Sequence, residues 1–494
     1  MTTLNFDGKI FTGRQKIMTS YTFDELRDVN NVINCINDSM QIHENNALEI
    51  NYLISYKNGM QPVKYKEKDV RPEINNKIVF NHAQMVTRMI VGYFLGTPIQ
   101  YTQSTAEKKE QIDLLNRYVA YEDKATIDKE IGDYQSICGT AYRIIYSDED
   151  NIVPFQDKCL NPANTFVVYR NDVSETPCLG VYFFDYLDAE SETYRRKYYA
   201  YTNYGVYEFV TPVGTFMLNQ VDIDSDEYKF TEYYVGGIPI IEYPNNIWRI
   251  GDWELCLDLM DAINLLQSGR LDDVEQIVQS LLVFVNADIN AETYEQMRQA
   301  GVIVLNNSNG LSTEVQSIQN PLDQTGMNLI SKEFEELLYA LLSIPDRNNR
   351  SGGGGDTGQA VELRDGWADL EIVARNKELT FKKSEKQALK IILNIMNASV
   401  GTDLSVLDIN IKFSRNKNNN LLVKTQAYMN LLSTKTLEPS DCLTIIDLVS
   451  DVNDFIERGK AFWGEEFANK TVTDGTSPIL TEDITMNTED NSME

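Results

Sequence analysis

Residues 359–398 repeat apolar side chains at Leu363, Trp367, Leu370, Ala374, Phe381, Ala388, Ile392 and Ile395, the three-and-four spacing of one helix face. At about 1.5 Å per residue an unbroken helix here is a rod of roughly 60 Å, far longer than an ordinary globular helix. Everything else in the chain must be arranged along or around such a rod, with Gly366 as its weak point. Directly before it stands Ser343-Ile-Pro-Asp-Arg-Asn-Asn-Arg-Ser-Gly-Gly-Gly-Gly-Asp-Thr-Gly358. Consecutive glycines lose much backbone entropy on ordering, so a packed core is a poor place for them. The stretch is either a plain linker or a mobile loop carried on a rigid lever.

The segments before it divide by period. Thr22-Phe-Asp-Glu25 has the form of a capping box and opens a helical pattern to about Met40; a second runs from 43 to 57 and stops at Gly59. Then follow a strand-like Ile78-Val-Phe80, a helix over 83–95, an extended piece at 98–102, and helices over 106–121 and 125–138. From 140 to 243 the character changes to short Tyr-rich, β-branched runs at 142–146, 165–169, 179–186, 197–202, 205–210 and 230–235. Asp, Asn, Gly and Pro separate them, the pattern of an antiparallel meander. Helical spacing returns over 252–282 and 328–342, with a small insertion between them. That insertion has strand-like stretches at 283–285 and 302–305 around a helix at 291–299. Residues 420–464 are helical again, and the Thr-, Asp- and Glu-rich stretch from about 468 lacks core residues and is expected to be disordered. The class is α+β.

No apolar run approaches the roughly 20 residues of a bilayer span, and the N-terminus lacks the apolar centre of a signal peptide, so a protein made and kept in the cytoplasm is expected. Six scattered cysteines lack paired spacing, which argues against a disulfide framework or a zinc site and for reduced, mostly buried thiols. The net charge is −30, from 74 acidic and 44 basic residues. Tight nucleic-acid binding needs clustered Lys and Arg, so this balance speaks against it. It is compatible with a surface past which DNA slides, and equally with plain solubility.

Gly353-Gly-Gly-Asp-Thr-Gly358 formally matches a dinucleotide-binding fingerprint, but it follows a helix and a proline rather than a strand, and fails that test of context. No P-loop occurs. His43 and His82 are the only histidines, too few for most nucleophilic triads, and each is expected at the surface or at a helix cap. No catalytic residue, metal ligand or cofactor is assigned. Two basic groups stand out: Arg347 and Arg350 around Asn348-Asn349, and Lys412, Arg415 and Lys417 before Asn418. Both residue types can touch phosphate in passing; for the second group solubilising loop residues are as good an account.

Several phrases occur in a telling order. Asn75-Asn-Lys-Ile-Val-Phe-Asn81 leads to Gly92-Tyr-Phe-Leu-Gly-Thr-Pro-Ile99, and Ile238-Pro-Ile-Ile-Glu-Tyr-Pro-Asn245 leads to Gly251-Asp252. Leu259-Met-Asp-Ala-Ile-Asn264 with Ser268, Gly354-Gly-Asp-Thr-Gly358, Phe413-Ser-Arg-Asn416, Ser440, Asp451 and Ile456-Glu457 follow. In these phrases and their spacing the chain resembles the portal (head-to-tail connector) proteins of tailed bacteriophages, siphophage type of Gram-positive hosts. The glycine run is longer than that pattern, which leaves the conformation of the loop open.

The resemblance implies a dodecameric ring around a channel for double-stranded DNA. It implies a wing at 1–250, stem helices at 251–282 and 322–343, and a clip at 283–321. The tunnel loop would be 344–358, the long wing helix 359–400 and the crown 401–467, with an acidic tail at 468–494. Tunnel-loop residues facing DNA would be Arg347, Asn348, Asn349, Arg350, Ser351, Gly352, Gly353 and Asp356. The stem carboxylates lining the lumen would be Asp258, Asp261, Asp272, Asp273 and Glu275. Implied partners are further copies of the chain, the large terminase subunit, a head-completion adaptor, and the major capsid and scaffolding proteins, with no membrane. The place implied is the capsid vertex of the virion, reached from the host cytoplasm. Two other classes stay open on residues alone: a phage-encoded hydrolase with a carboxylate site in the Tyr-rich sheet, and an adaptor that binds partners through helices without a channel.

Overall fold

The structure is a computed structural model that describes residues 13–103, 108–148, 151–189, 192–214, 218, 227–278, 281–285, 314–318, 324–345, 367–415, 421–434 and 437–446, with isolated positions elsewhere. It falls into two compact units, Met1–Arg415 and Asn416–Glu494.

The capping box forms as expected: the Thr22 amide donates to Glu25 Oε2 at 2.8 Å and the Glu25 amide to Thr22 Oγ1 at 3.4 Å. It caps only a short 3-10 turn, Glu25–Arg27; the helix behind it starts after Asp28, whose carboxylate takes the Asn30 amide. That helix, α1 (Val29–Lys57), is one element where two were expected. His43 lies in its middle and is buried, not at the surface. Its Nε2 donates to the Ala163 carbonyl at 2.9 Å, and its ring lies 4.7 Å from Phe166. A tertiary contact satisfies the polar ring, and nothing local to the sequence announces it. Helices α2 (His82–Phe94), α3 (Lys109–Tyr121) and α4 (Lys124–Cys138) follow. His82, at the first position of α2, is buried too, and Asn81 is the cap.

The Tyr-rich region is not one meander. A six-stranded sheet runs β1 (Ile17–Thr19), β5 (Thr165–Arg170), β6 (Pro177–Leu187), β7 (Tyr194–Tyr201), β8 (Gly205–Pro212), β9 (Tyr228–Glu232), with β1 parallel to β5. A second sheet has the order β10 (Ile240–Pro244), β3 (Thr140–Ser147), β4 (Phe155–Leu160). β3 is buried along nearly all its length and needs neighbours on both edges. The first half of α1 covers the six-stranded sheet, placing Val32, Ile36 and Met40 with Phe166, Val181, Tyr198 and Phe209.

Helix α5 (Leu257–Val278), strands β11 (Leu281–Val285) and β12 (Glu314–Ile318), and helix α6 (Gln324–Leu341) come next. β11 and β12 pair antiparallel, Leu281 opposite Ile318. The expected strand at 302–305 lies outside the described residues, as does most of the helix at 291–299. The long helix is α7 (Trp367–Ser399), 33 residues and so about 50 Å; its expected first turns, 359–366, lie outside the described residues. Its apolar face (Phe381, Ala388, Leu389, Ile392, Met396) packs with Phe94, Ile131, Ala141 and Tyr243 into the largest core. Strand β13 (Ile409–Lys412) returns to pair with β2 (Gln100–Gln103). In the second unit, α8 (Leu421–Ser433) is followed by α9 (Pro439–Ile446), where Cys442 and Leu443 are buried. The tail from 468 lies outside the described residues. All six cysteines are free thiols, five buried and Cys159 half-buried. Among the described residues no helix is long and apolar enough to cross a membrane.

Candidate functional site

Helix α5 carries the acidic residues assigned to a lumen, and a polar ladder seats it on the chain. Asn264, Ser268 and Asp272 are four residues apart, so they line one stripe of the helix. An extended segment runs antiparallel along it. The Phe80 amide donates to Asn264 Oδ1 at 2.7 Å, that of Ile78 to Ser268 Oγ at 3.0 Å and that of Asn76 to Asp272 Oδ1 at 2.6 Å. Two extended residues advance about 6.6 Å and four helical residues about 6 Å, so alternate amides meet successive turns with little drift over three rungs. The strand-like Ile78-Val-Phe80 is therefore extended but pairs with no strand: a helix takes its amides. Asn264 also donates to Gln61 Oε1 at 2.5 Å, and Gln61 in turn donates to Asn81 Oδ1 at 3.2 Å.

The five carboxylates expected to line a lumen do not share one environment. Asp258 is exposed, and Asp273 and Glu275 are half-buried. Asp261 accepts the Tyr56 hydroxyl at 2.8 Å. Asp272 is buried, with Lys66 Nζ at 2.8 Å and Lys68 Nζ at 3.4 Å from its Oδ2. Burial raises its carboxyl, but the bonds from Lys66 and Asn76 outweigh that and hold it at about 2. The assignment of Asp272 to an open acidic lumen face is corrected: its charge is neutralised inside the chain. The four-residue spacing of Asn264, Ser268 and Asp272 was the available signal.

Just upstream, Trp253 is fully buried; it stacks on Tyr56 at 5.7 Å and donates Nε1 to Thr87 Oγ1 at 3.0 Å. The long helix ties to the same place. Lys377 on α7 sits 2.8 Å from Asp252 and donates to Asn245 Oδ1 at 2.5 Å. Arg415, one of the candidate phosphate contacts, instead bridges Glu371 at 3.0 Å and Glu378 at 2.5 Å on α7, with its side chain only 9% exposed. It is a clamp on the helix and unavailable to a ligand; Lys417 lies outside the described residues.

Arg347, Asn348, Asn349, Arg350, Ser351, Gly352, Gly353 and Asp356 also lie outside the described residues, but the described chain before 346 and after 366 is anchored on both sides. On the incoming side Leu342 and Ile344 are buried, and the Ile344 amide closes the end of α6 onto the Tyr339 carbonyl at 2.9 Å. On the outgoing side Trp367 lies 5.9 Å from Tyr93 and Leu370 is fully buried. All four belong to the cluster that holds Trp253, Met260 and Ile263 of the α5 base. Helix α6 contacts α5 through Ser331, which accepts from Gln267 at 2.5 Å. About a quarter-turn round the helix from that contact, Ile330, Leu337 and Leu341 are exposed, within about 40° of one another.

The family described as "Phage portal protein, SPP1 Gp6-like" matches residues 36–460. The portal protein of Bacillus phage SPP1 is 24% identical over 281 residues, covering 55% of this chain and 53% of that protein. The match thus spans about half the length of that relative. The portal protein of Clostridium phage phiCD119 is 19% identical over 352 residues, 68% of this chain and 75% of that protein. A solved structure described as "Neck of empty GTA particle computed with C6 symmetry" aligns with 81% of this chain and 94% of its own, at 12% identity and a TM-score of 0.43.

Proposed function

The chain belongs to the SPP1 Gp6-like phage portal protein family, and from that premise we propose that it is the subunit of a dodecameric ring at one capsid vertex, through which double-stranded DNA is packaged and ejected. The match over residues 36–460 carries this reading. Helices α5 and α6 form the stem, 251–282 and 322–343. The exposed carboxylate of Asp258, with Asp273 and Glu275, contributes to a lumen that repels the duplex, which carries one charge per about 1.7 Å. Residues 344–358 form the tunnel loop, with Arg347 and Arg350 as brief, sequence-independent phosphate contacts. Residues 283–321 form the clip that meets the large terminase subunit and later the head-completion adaptor. Residues 1–250 and 359–400 are the wing, and 401–467 the crown toward the capsid interior, where scaffolding and capsid proteins gather. The chain performs no catalysis in this role; the packaging ATPase is a separate motor.

The anchored loop base and the exposed stripe on α6 support the reading. A loop that meets moving DNA needs fixed ends, and Ile330, Leu337 and Leu341 need a cover that a neighbouring subunit supplies. A hydrolase requires neither feature, and a channel-free adaptor requires only the exposed stripe. Negative-stain images of the purified protein are expected to show rings with a central hole. Particles without rings at every salt concentration overturn the channel reading.

A further inference from the structure

Beneath the long helix lies a line of five buried charges that the channel role does not use. Asp157 on β4 takes Arg143 Nε at 2.7 Å, and its other oxygen takes Arg143 Nη2. Arg143 on β3 reaches Glu385 on α7 at 3.0 Å. Lys124 on α4 lies 3.2 Å from the same Glu385 and pairs with Asp128 one turn along its own helix. Signs alternate along the line, three carboxylates against two cations, and each residue is at most 4% exposed. The set therefore carries one uncompensated negative charge in the core when every member is ionised.

The ends of the line differ. Asp157 has both oxygens on Arg143. Glu385 has two cations, the Tyr243 hydroxyl at 2.7 Å and the Tyr101 hydroxyl. Asp128 has Lys124 alone, and its Oδ1 is buried without a hydrogen-bond partner. A lone ionised oxygen in a low-dielectric site is the least tolerable member of such a set. Facing Asp128 are Lys124 from its own helix, Glu385 from α7, Arg143 from β3, and the Tyr101 and Tyr243 hydroxyls from β2 and β10.

We propose that these five charges form a proton-linked latch that couples α4 and the β10-β3-β4 sheet to the long helix α7. With a proton on Asp128 the set is neutral and α7 is held at Glu385. When Asp128 ionises, the surplus charge weakens the seat of α7 around Phe381–Glu385. Burial, with Glu385 opposite, pushes the Asp128 carboxyl up to about 6 in spite of Lys124. Glu385 is raised by burial but brought down to about 2 by Lys124, Arg143 and the two tyrosine hydroxyls, so it stays ionised throughout. An acid raised above its unfolded value stabilises the fold below that value and loses this as pH rises through the folded one. The operative window is therefore about pH 4 to 6. The latch belongs to the single chain and stands whether or not rings form.

The test is amide hydrogen exchange on the full-length protein at pH 5 and pH 7.5, corrected for intrinsic rates and read over α7. In the wild type, protection around residues 381–392 is expected to be at least about tenfold higher at pH 5. Asp128→Asn, neutral at both pH values, is expected to remove the difference and keep the high-protection level. Should that variant not fold, Asp128→Ser serves in its place, and the wild-type profile decides by itself. A wild type with no pH effect on α7 overturns the latch. So does an Asp128 variant that keeps the full wild-type pH effect.

Discussion

A carboxylate on a helix of an acidic protein belongs by default to a solvated face, and Asp272 shows what overrides that default. It receives Lys66, Lys68 and the Asn76 amide, and is buried by them. Removing it leaves the Asn76 backbone and side-chain amides and the Lys66 ammonium without this acceptor, while Lys68 keeps the Ile74 carbonyl at 3.1 Å. Asp272→Ala is expected to destabilise the fold by about 2 kcal/mol, since hydrogen bonds to charged groups contribute ~1.5–3 kcal/mol and the two lysines are partly solvated. The effect depends on pH. A carboxyl held at about 2 contributes stability above its unfolded value, near 4, and loses it as pH falls toward 2. Urea unfolding should therefore show a larger gap between variant and wild type at pH 7 than at pH 3. An equal gap at both would mean that the ion pairs contribute nothing.

Elements here are held together by side chains aimed at backbone as much as by apolar burial. The ladder of Asn264, Ser268 and Asp272 lets a helix serve as the partner of an extended segment. Ser384 on α7 does something similar by donating to the Glu242 carbonyl of β10 at 2.7 Å. Helix α6 is the exception, because one side of it has no partner within the chain's described residues. Exposed Leu337 and Leu341 lie there beside Ile330, away from fully buried Leu338. A Leu337→Glu/Leu341→Glu double variant is expected to leave thermal unfolding within about 1 kcal/mol of wild type, as surface changes generally do. It should nonetheless abolish ring assembly as read by light scattering on a sizing column. Intact rings in that variant would remove α6 from the subunit contact.

On the scale of the whole molecule, a net charge of −30 sets how DNA can be met. A duplex is repelled by the bulk of the chain and can be touched only where cations are concentrated. Arg415 is withdrawn into its clamp on α7, which removes one member of the second basic group and favours Arg347 and Arg350 of the proposed tunnel loop as the candidate contacts. Arg347→Ala/Arg350→Ala is expected to slow packaging or shorten the packaged genome, most visibly at low salt, where phosphate contacts are strongest. Packaging unchanged in rate and extent would exclude that role.

Much of this was legible in the residues. Periodicity located the helices, and the end marked by Gly59 falls where positive φ is needed. The phrases Asn75–Asn81 and Leu259–Asn264 with Ser268 carried the family resemblance. Three-dimensional structure shows two of those phrases to be the halves of one contact, the ladder under α5. What only tertiary structure decided was which polar residues turn inward. His43 spends its ring nitrogen on a carbonyl 120 residues away, Asp272 its charge on lysines some 200 residues upstream, and β3 leaves its Tyr-rich neighbours for β10. Periodicity reports local geometry because it repeats within a few residues. A buried charge or hydrogen bond depends on a partner distant in the chain, and no local pattern encodes where that partner comes to rest.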